Sequence, residues 1–293
     1  MSEKKEILVT GGAGFIGGHL ADRLVADGHR VKVLDDLSRG TTNNVPLRAE
    51  LTIGNIRDPA ATDYLVKKSD VVFHLAALAR IRPSIQNLEM YHETNVNGTL
   101  KLLEACRKYG KKIIFASSSS IFGNQELPYH EETAKDPKSP YALQKLIGEY
   151  YLKLYGQLYG LDYSIVRYFN VYGERQLTEG PYACVVGIFK EQAEQGKPLT
   201  ILGDGTQRRD FTYVGDAVDA TVRCLEGPAY QQTFNIGKGD NRSVQEIADL
   251  ISPNQVYLPA VEGEARETLC DNTKARQVLG WEPKTEVEEW LAS

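Results

Sequence analysis

The 293-residue sequence predicts an α/β fold: a doubly wound parallel sheet with a smaller, interleaved C-terminal lobe. Three observations carry that prediction. Short apolar runs rich in Val and Ile recur at 6–10, 31–35, 51–53, 70–75, 112–117 and 161–167, most of them separated by stretches long enough for a helix. The runs are continuously apolar instead of alternating, so both faces of the sheet are covered, as helices cover a parallel sheet. After about residue 168 the rhythm breaks into pieces punctuated by Gly180-Pro181, Gly203-Asp204-Gly205 and Gly227-Pro228. The expected division is therefore 1–168 for the sheet and 169–293 for the smaller lobe, with a strand near 233–237 returning to the first sheet.

Composition narrows the partners. Charged residues make up 25% and apolar residues 42%, as in ordinary globular proteins, and the formal net charge of −5 argues against nucleic acid or an anionic membrane. An anionic ligand has to be met by individually placed Arg or Lys side chains, against that mean field. The opening Met1-Ser2-Glu3-Lys4-Lys5-Glu6 runs straight into Ile7-Leu8-Val9 without a leader pattern. No run approaches the roughly 18 apolar residues of a membrane span, so a cytoplasmic protein is expected. Cys106, Cys184, Cys224 and Cys270 are scattered and read as reduced, mostly buried thiols, and no metal site is expected.

Taken in order, the first strand leads into Gly11-Gly12-Ala13-Gly14-Phe15-Ile16-Gly17, a glycine turn and a helix start. Backbone N–H groups there can approach a pyrophosphate at the positive end of a helix dipole. A GxGxxG string alone is weak evidence. Here the second strand, Val31-Lys32-Val33-Leu34, ends in Asp35-Asp36, where a carboxylate can accept ribose hydroxyls. The pair predicts a Rossmann-type dinucleotide site, and Asp35, which would repel a 2′-phosphate, favours NAD over NADP. Arg39, just past the strand, stands where an arginine can accommodate a 2′-phosphate, with a solvated loop residue the favoured reading. His74, at the end of the fourth apolar run, reads as a packed, hydrogen-bonded core histidine.

The fifth run ends in Ser117-Ser118-Ser119-Ser120, placing hydroxyls at the C-terminal edge of the sheet, where parallel sheets bind ligands. At least two of the four are expected simply to bond loop backbone. Ser139-Pro140-Tyr141 reads as an N-cap with Pro at the first helical position, opening a helix that runs to about Tyr159. Tyr141 and Lys145, at i and i+4, then share a face with Cβ atoms about 5–6 Å apart. The ammonium can lower the phenol pKa and make Tyr141 a base near neutral pH.

Taken together, the glycine loop, His74-Leu75-Ala76-Ala77, Asn95-Val96-Asn97-Gly98-Thr99, Ser118-Ser119-Ser120-Ile121-Phe122-Gly123, Tyr141-x-x-x-Lys145 and Arg167-Tyr168-Phe169-Asn170 resemble the extended short-chain dehydrogenase/reductase family of nucleotide-sugar enzymes. Gly203-Asp204-Gly205-Thr206, Arg209-Asp210-Phe211-Thr212-Tyr213-Val214 and Leu279-Gly280-Trp281 extend the resemblance over nearly the whole chain. It implies an NAD cofactor. The residues implied to hold it are Gly11, Gly14, Phe15 and Ile16 in the loop, and Asp35, Asp36, Ser38, Asn55 and Ile56 at the adenosine end. Around the nicotinamide half they are Leu75, Ala76, Ala77, Asn95, Tyr168 and the catalytic Tyr141 and Lys145. Ser118 is implied as a proton relay, and Ser118, Ser119, Asn170, Arg209 and Thr268 as contacts to a nucleotide sugar, with UDP-hexoses the expected class.

In the family's 4,6-dehydratases and decarboxylases an acid follows the hydroxyl residue of the serine segment, because eliminating water or steering loss of carboxylate needs an extra general acid or base. This chain has Ser119 and Ser120, which resembles the 4-epimerases. The resemblance therefore implies NAD-dependent 4-epimerisation of UDP-glucose and UDP-galactose through a transient 4-keto sugar. A dehydratase, a 4-reductase and a non-catalytic NAD-sensing module are the alternatives. It also implies a homodimer through the helices around 84–109 and 140–159. Three positions depart from the family pattern: Asn55 stands where an adenine-contacting Asp is usual, Ala79 where a basic residue is frequent, with Arg80 and Arg82 nearby, and Val261 where an Arg commonly binds the diphosphate. Arg266 or a residue of a neighbouring subunit is the candidate substitute for that Arg. Thr268 falls at the position whose size gates 2-N-acetyl sugars, and its small side chain implies that they are accepted. For Arg209 a salt bridge to Asp210 or Asp216 is the competing reading.

Overall fold

The apolar runs assemble into a seven-stranded sheet in a computed structural model that describes residues 3–178, 183–225, 227–260 and 265–292. Its strands are β1 (Glu6–Thr10), β2 (Arg30–Asp35), β3 (Glu50–Ile53), β4 (Val71–His74), β5 (Lys112–Ser118), β6 (Tyr163–Tyr168) and β7 (Gln232–Ile236). Their order is β7-β6-β5-β4-β1-β2-β3, and every neighbouring pair is parallel. The chain thus winds outward from β1 in one direction and from β4 in the other. The crevice where the direction reverses opens at the C-terminal ends of β1 and β4, which is where ligands of such sheets bind.

The central strands bury both faces, as their continuous apolar runs predict. By contrast, β2 alternates Arg30 and Lys32 with buried Val31 and Val33, and the edge strand β3 leaves Ile53 65% exposed because no strand pairs with its outer side. In β1, Ile7 and Val9 enter one core layer and Leu8 the other. The helices that cover the sheet include α1 (Phe15–Ala26), α2 (Pro59–Lys67), α3 (Thr99–Tyr109), α4 (Pro140–Tyr159) and α5 (Val214–Arg223). The layer holding Ile7 and Val9 is completed by Leu20 and Leu24 of α1, Val214 and Val218 of α5, and Trp281, which is 1% exposed. The layer holding Leu8 takes Leu65 of α2, Leu102 and Leu103 of α3, and Leu152 of α4.

Beyond the sheet, three short pairings join Val171–Tyr172 to Thr212–Tyr213, Arg208–Arg209 to Arg242–Ser243, and Leu199–Leu202 to Gln255–Leu258. Tyr172, Phe189, Ile201, Phe211 and Ile247 form a separate core there. The packing cuts across residue 168: α5, β7 and Trp281 come late in the chain yet pack with the main sheet. The Trp281 indole donates to the Asp216 carbonyl at 2.9 Å, and the Asp216 carboxylate accepts the Lys284 and Thr285 N–H groups, which pins the C-terminal segment to α5.

Two elements set the site. The glycine turn between β1 and α1 holds Gly11 at φ 74°, a left-handed conformation that favours glycine. Helix α4 begins as its sequence predicts: the Ser139 side chain accepts from the Ala142 N–H, Pro140 is first in the helix, and Gly160 at φ 65° ends it.

Candidate active site

The glycine turn packs so closely that no side chain fits at its critical positions. A Cβ on Gly17 would lie 2.0 Å from the Gly11 carbonyl oxygen, and one on Gly11 2.6 Å from the Ala76 nitrogen. The N-cap of α1, Gly14, offers no side-chain cap, and the first turn carries no acid. Its N–H groups therefore present positive potential to the cavity that Gly11, Gly14, Phe15, Ile16 and Gly17 line, a fit for the pyrophosphate of a dinucleotide. Asp35 braces this turn as well as facing the cavity: its carboxylate accepts the Ala13 N–H at 3.0 Å and the Leu37 N–H at 2.9 Å. Burial pushes its pKa up, and these two bonds oppose the shift.

The departure at Asn55 acquires a physical reason. Its Nδ2 donates to Asp36 Oδ2 at 2.8 Å, while its Oδ1 accepts from the Arg57 backbone N–H and Nε. An aspartate at 55 would set a second carboxylate against Asp36, whereas the amide supplies a donor. Ser38 donates its N–H to the other Asp36 oxygen at 3.0 Å, and Asn55, Ile56 and Ser38 line the same end of the cavity. Leu75, Ala76, Ala77 and Tyr168 line it further along. Asn95 is placed differently: it lies behind the wall, 3% exposed, with its amide spent on both backbone groups of Leu78 and on Gln144. It shapes the segment after β4, and only the fold shows this, because an Asn string carries no sign of its partner.

At the reaction centre α4 delivers Tyr141 and Lys145 to the end of β5. The Lys145 ammonium donates to the Ala116 carbonyl at 2.7 Å and sits 6.0 Å from the Tyr141 ring centroid. Burial pushes Lys145 down to about 7, opposed by the charge of Glu149. The Tyr141 phenol differs from expectation: burial raises its pKa, and the effects that lower it are a hydrogen bond with Ser118 and the Arg80 charge. Ser118 Oγ also accepts from the Ser120 N–H at 3.2 Å and from the Ser120 hydroxyl at 3.0 Å. Ser117 does not bond loop backbone as expected of part of the serine run. Strand alternation turns its hydroxyl to the opposite side of the sheet, where it donates to Glu149 at 2.6 Å.

The remaining predicted contacts meet on the far wall. Asn170, at φ 28°, donates to the Asp210 carbonyl at 3.1 Å and to the Thr268 hydroxyl at 3.2 Å, and that hydroxyl also accepts the Asp210 N–H. Arg209 Nη1 donates to the carbonyls of Arg208 and Arg266. The competing salt bridges are disfavoured by geometry: Asp210 spends its carboxylate on the N–H groups of Lys238, Gly239 and Cys270, and Asp216 on the C-terminal segment. Arg266 pairs with Asp204 at 2.9 Å at the cavity edge, and Val261 lies outside the described residues. His74 is a core residue, bonded between Thr10 and Thr99, with burial pushing its pKa down to about 3.

Ser118, Ser119, Tyr141, Lys145, Asn170, Arg209 and Thr268 thus share one cleft of about 1020 Å³ with the glycine turn. That volume is at the top of the roughly 300–1,000 Å³ range of single-ligand pockets, as a cofactor beside a substrate requires. Seven arginines and Lys145 line it, against two carboxylates, Asp35 and Asp36, among the described residues. A chain of net charge −5 therefore presents a cationic cleft to anionic ligands. Sequence reasoning missed Glu149, Cys184 and Arg175. For Glu149 the signal was present, since it lies eight residues beyond Tyr141 on the helical face that also carries Lys145. For Cys184 and Arg175, in irregular cavity-lining chain, no periodicity marks the wall.

Known proteins bear on this geometry. Residues 7–237 match the model of the NAD dependent epimerase/dehydratase family. The chain is 41% identical over 300 residues to the UDP-glucose 4-epimerase of Mycolicibacterium smegmatis, covering 97% of this chain and 96% of that one. It is 41% identical over 314 residues to the UDP-N-acetyl-alpha-D-glucosaminuronate decarboxylase of Bacillus cytotoxicus, covering 98% and 96%. The structure of the UDP-glucose 4-epimerase of Thermotoga maritima with UDP-glucose matches with a TM-score of 0.93 at 38% identity, over 98% of this chain and 96% of that one. With its doubly wound sheet, its glycine turn and these relatives over nearly its full length, the chain belongs to the NAD dependent epimerase/dehydratase family, the extended short-chain dehydrogenase/reductases, and its cofactor is NAD.

Proposed function

We propose that the chain catalyses the 4-epimerisation of a UDP-hexose, UDP-glucose to and from UDP-galactose, through a transient 4-keto sugar. The observation that carries this reading is the set of groups around Tyr141. Ser118, Ser119 and Ser120 line the cleft there, while the carboxylates lining it among the described residues, Asp35 and Asp36, stand at the end of β2 beside the glycine turn. Dehydration or steered decarboxylation needs a further general acid or base at the sugar, and epimerisation does not.

Bound NAD supplies reversible hydride acceptance at the sugar C4. Tyr141 removes the 4-hydroxyl proton and returns it, and Ser118, already hydrogen-bonded to the phenol, relays it. Lys145 anchors the nicotinamide ribose and favours the phenolate by its charge. Asn170 and Arg209 hold the nucleotide diphosphate, and the glycine turn with Asp35 and Asp36 holds the dinucleotide. On this reading residues 1–168, joined by β7 near 233–237 and by α5 and Trp281, form the cofactor half, and the rest of 169–293 the nucleotide-sugar half. Thr268 is buried, with its hydroxyl committed to Asn170 and Asp210, so it presents a small, apolar wall that leaves room for a 2-N-acetyl group.

The partner we infer is a second copy of the chain. Helix α4 exposes Leu143, Tyr150, Leu154 and Leu158, at 48%, 57%, 43% and 61%, as one stripe along the helix. A surface stripe of that kind is what helix pairing between subunits covers.

The test is to incubate the NAD-loaded protein with UDP-glucose, UDP-galactose and their N-acetyl forms and to follow the sugars. Redox-neutral interconversion is expected, falling at least about 10²-fold in Tyr141→Phe, the usual worth of a general base. A 4-keto-6-deoxy product would overturn the reading. Turnover of the plain hexoses with none of the N-acetyl forms would remove the Thr268 argument alone.

A further inference from the structure

One buried charge beside the site has no part in the chemistry so far. Glu149 is 0% exposed and lies on the face of α4 that also carries Tyr141 and Lys145, at successive steps of four residues. Three consecutive residues of β5 each grip one of these three. The Ala116 carbonyl accepts from Lys145 at 2.7 Å, the Ser117 hydroxyl donates to Glu149 at 2.6 Å, and Ser118 bonds Tyr141. From β6, Arg167 closes the far side with Nε and Nη2 on the same carboxylate at 2.8 and 2.7 Å. Its Nη1 reaches the Glu131 carbonyl at 2.9 Å. A buried ion pair adds little net stability over an apolar replacement, so its placement against the catalytic helix calls for another explanation.

We propose that Glu149 is a positioning residue: its carboxylate locks the end of β5 to α4, and its charge supports the Lys145 ammonium beside the Tyr141 base. The inference rests on the Tyr141 base of the proposed function. Arg167 faces Glu149 from β6, and Lys135 from the segment before α4 feels the Arg167, Glu149 and Lys153 charges. Lys145 acts on His74 of β4, and Arg80 from the segment after β4 places its charge on Tyr141. Glu131 turns its own carboxylate to the Asn235 N–H. Glu149 is the group whose charge opposes the burial that drives Lys145 down to about 7. Without it, Lys145 loses its proton more readily, which leaves Arg80 alone to favour the Tyr141 phenolate by charge.

The experiment uses the double variant Glu149→Gln/Arg167→Met in the NAD-loaded protein. Both charges leave together, so no buried charge is stranded, and Gln keeps an acceptor for Ser117. Tyr141 ionisation is read from tyrosinate absorbance as the difference between each protein and the same protein carrying Tyr141→Phe, which needs no substrate. The expected result is Tyr141 ionising about one pH unit higher in the double variant, the size of a close charge effect. The acid limb of the kcat profile should move the same way, with KM unchanged. Glu149→Asp, which keeps the charge, should titrate within a few tenths of a unit of the parent. An unchanged titration in the double variant, or an equal shift in Glu149→Asp, would overturn the inference. Absence of sugar interconversion in the parent would sink the proposed function instead, while the titration still decides the role of Glu149.

Discussion

At the scale of single residues the site depends on close approaches that leave no slack. Gly17 is the sharpest case, because a methyl group there would sit 2.0 Å from the Gly11 oxygen and force the glycine turn apart. Gly17→Ala is expected to cost about 1–3 kcal/mol by overpacking and to lower NAD affinity at least about tenfold, measurable by titration calorimetry. His74 yields a pH prediction. Its folded pKa, about 3, lies below the unfolded 6.5, so the neutral buried imidazole adds stability above pH 6.5 that is lost as pH falls toward 3. In urea unfolding, the deficit of His74→Gln relative to the parent should shrink by about 2 kcal/mol between pH 7 and pH 5. A deficit that does not change with pH would show that His74 takes up its proton in the fold as readily as in the unfolded chain.

At the scale of elements, local chemistry places the catalytic groups. The Ser139 cap and Pro140 fix where α4 starts, and that start sets which helical positions face β5. The same helix turns its opposite side outward as the Leu143, Tyr150, Leu154 and Leu158 stripe. Leu154→Arg/Leu158→Arg should convert a dimer to a monomer in sedimentation velocity while leaving helix content intact, since both side chains are exposed within one chain. A parent protein that already sediments as a monomer would refute the pairing. The serine run shows how far element-level reading goes. Its position at the edge of the sheet was legible, but the split between Ser118, turned to Tyr141, and Ser117, turned to Glu149, follows from strand alternation against particular neighbours.

At the scale of the whole molecule, the reversal between β1 and β4 opens the crevice, and late segments return to hold it together. Trp281 is the clearest of these, 1% exposed in the core layer under β1 and bonded to the Asp216 carbonyl. Trp281→Ala should destabilise the protein by about 3–5 kcal/mol, read by chemical denaturation, although the residue lies outside the cleft. Charge is also organised at this scale: arginines spread from Arg39 to Arg266 in sequence converge on one cleft in a net-acidic chain. No window of sequence contains that convergence.

By itself the sequence determined the parallel sheet, the glycine turn with its carboxylate partner, and the Tyr141–Lys145 face. Each is a local pattern, whether apolar periodicity, a backbone conformation that favours glycine, or an i to i+4 spacing. Tertiary structure alone decided what those groups touch. It set Asn95 against Leu78 behind the wall, joined Asn55 to Asp36, tied Thr268 to Asp210, and buried Glu149 between Ser117 and Arg167. The physical reason is that a polar group taken out of water bonds to whichever group folding brings within reach, and those partners here lie up to 58 residues away in the chain.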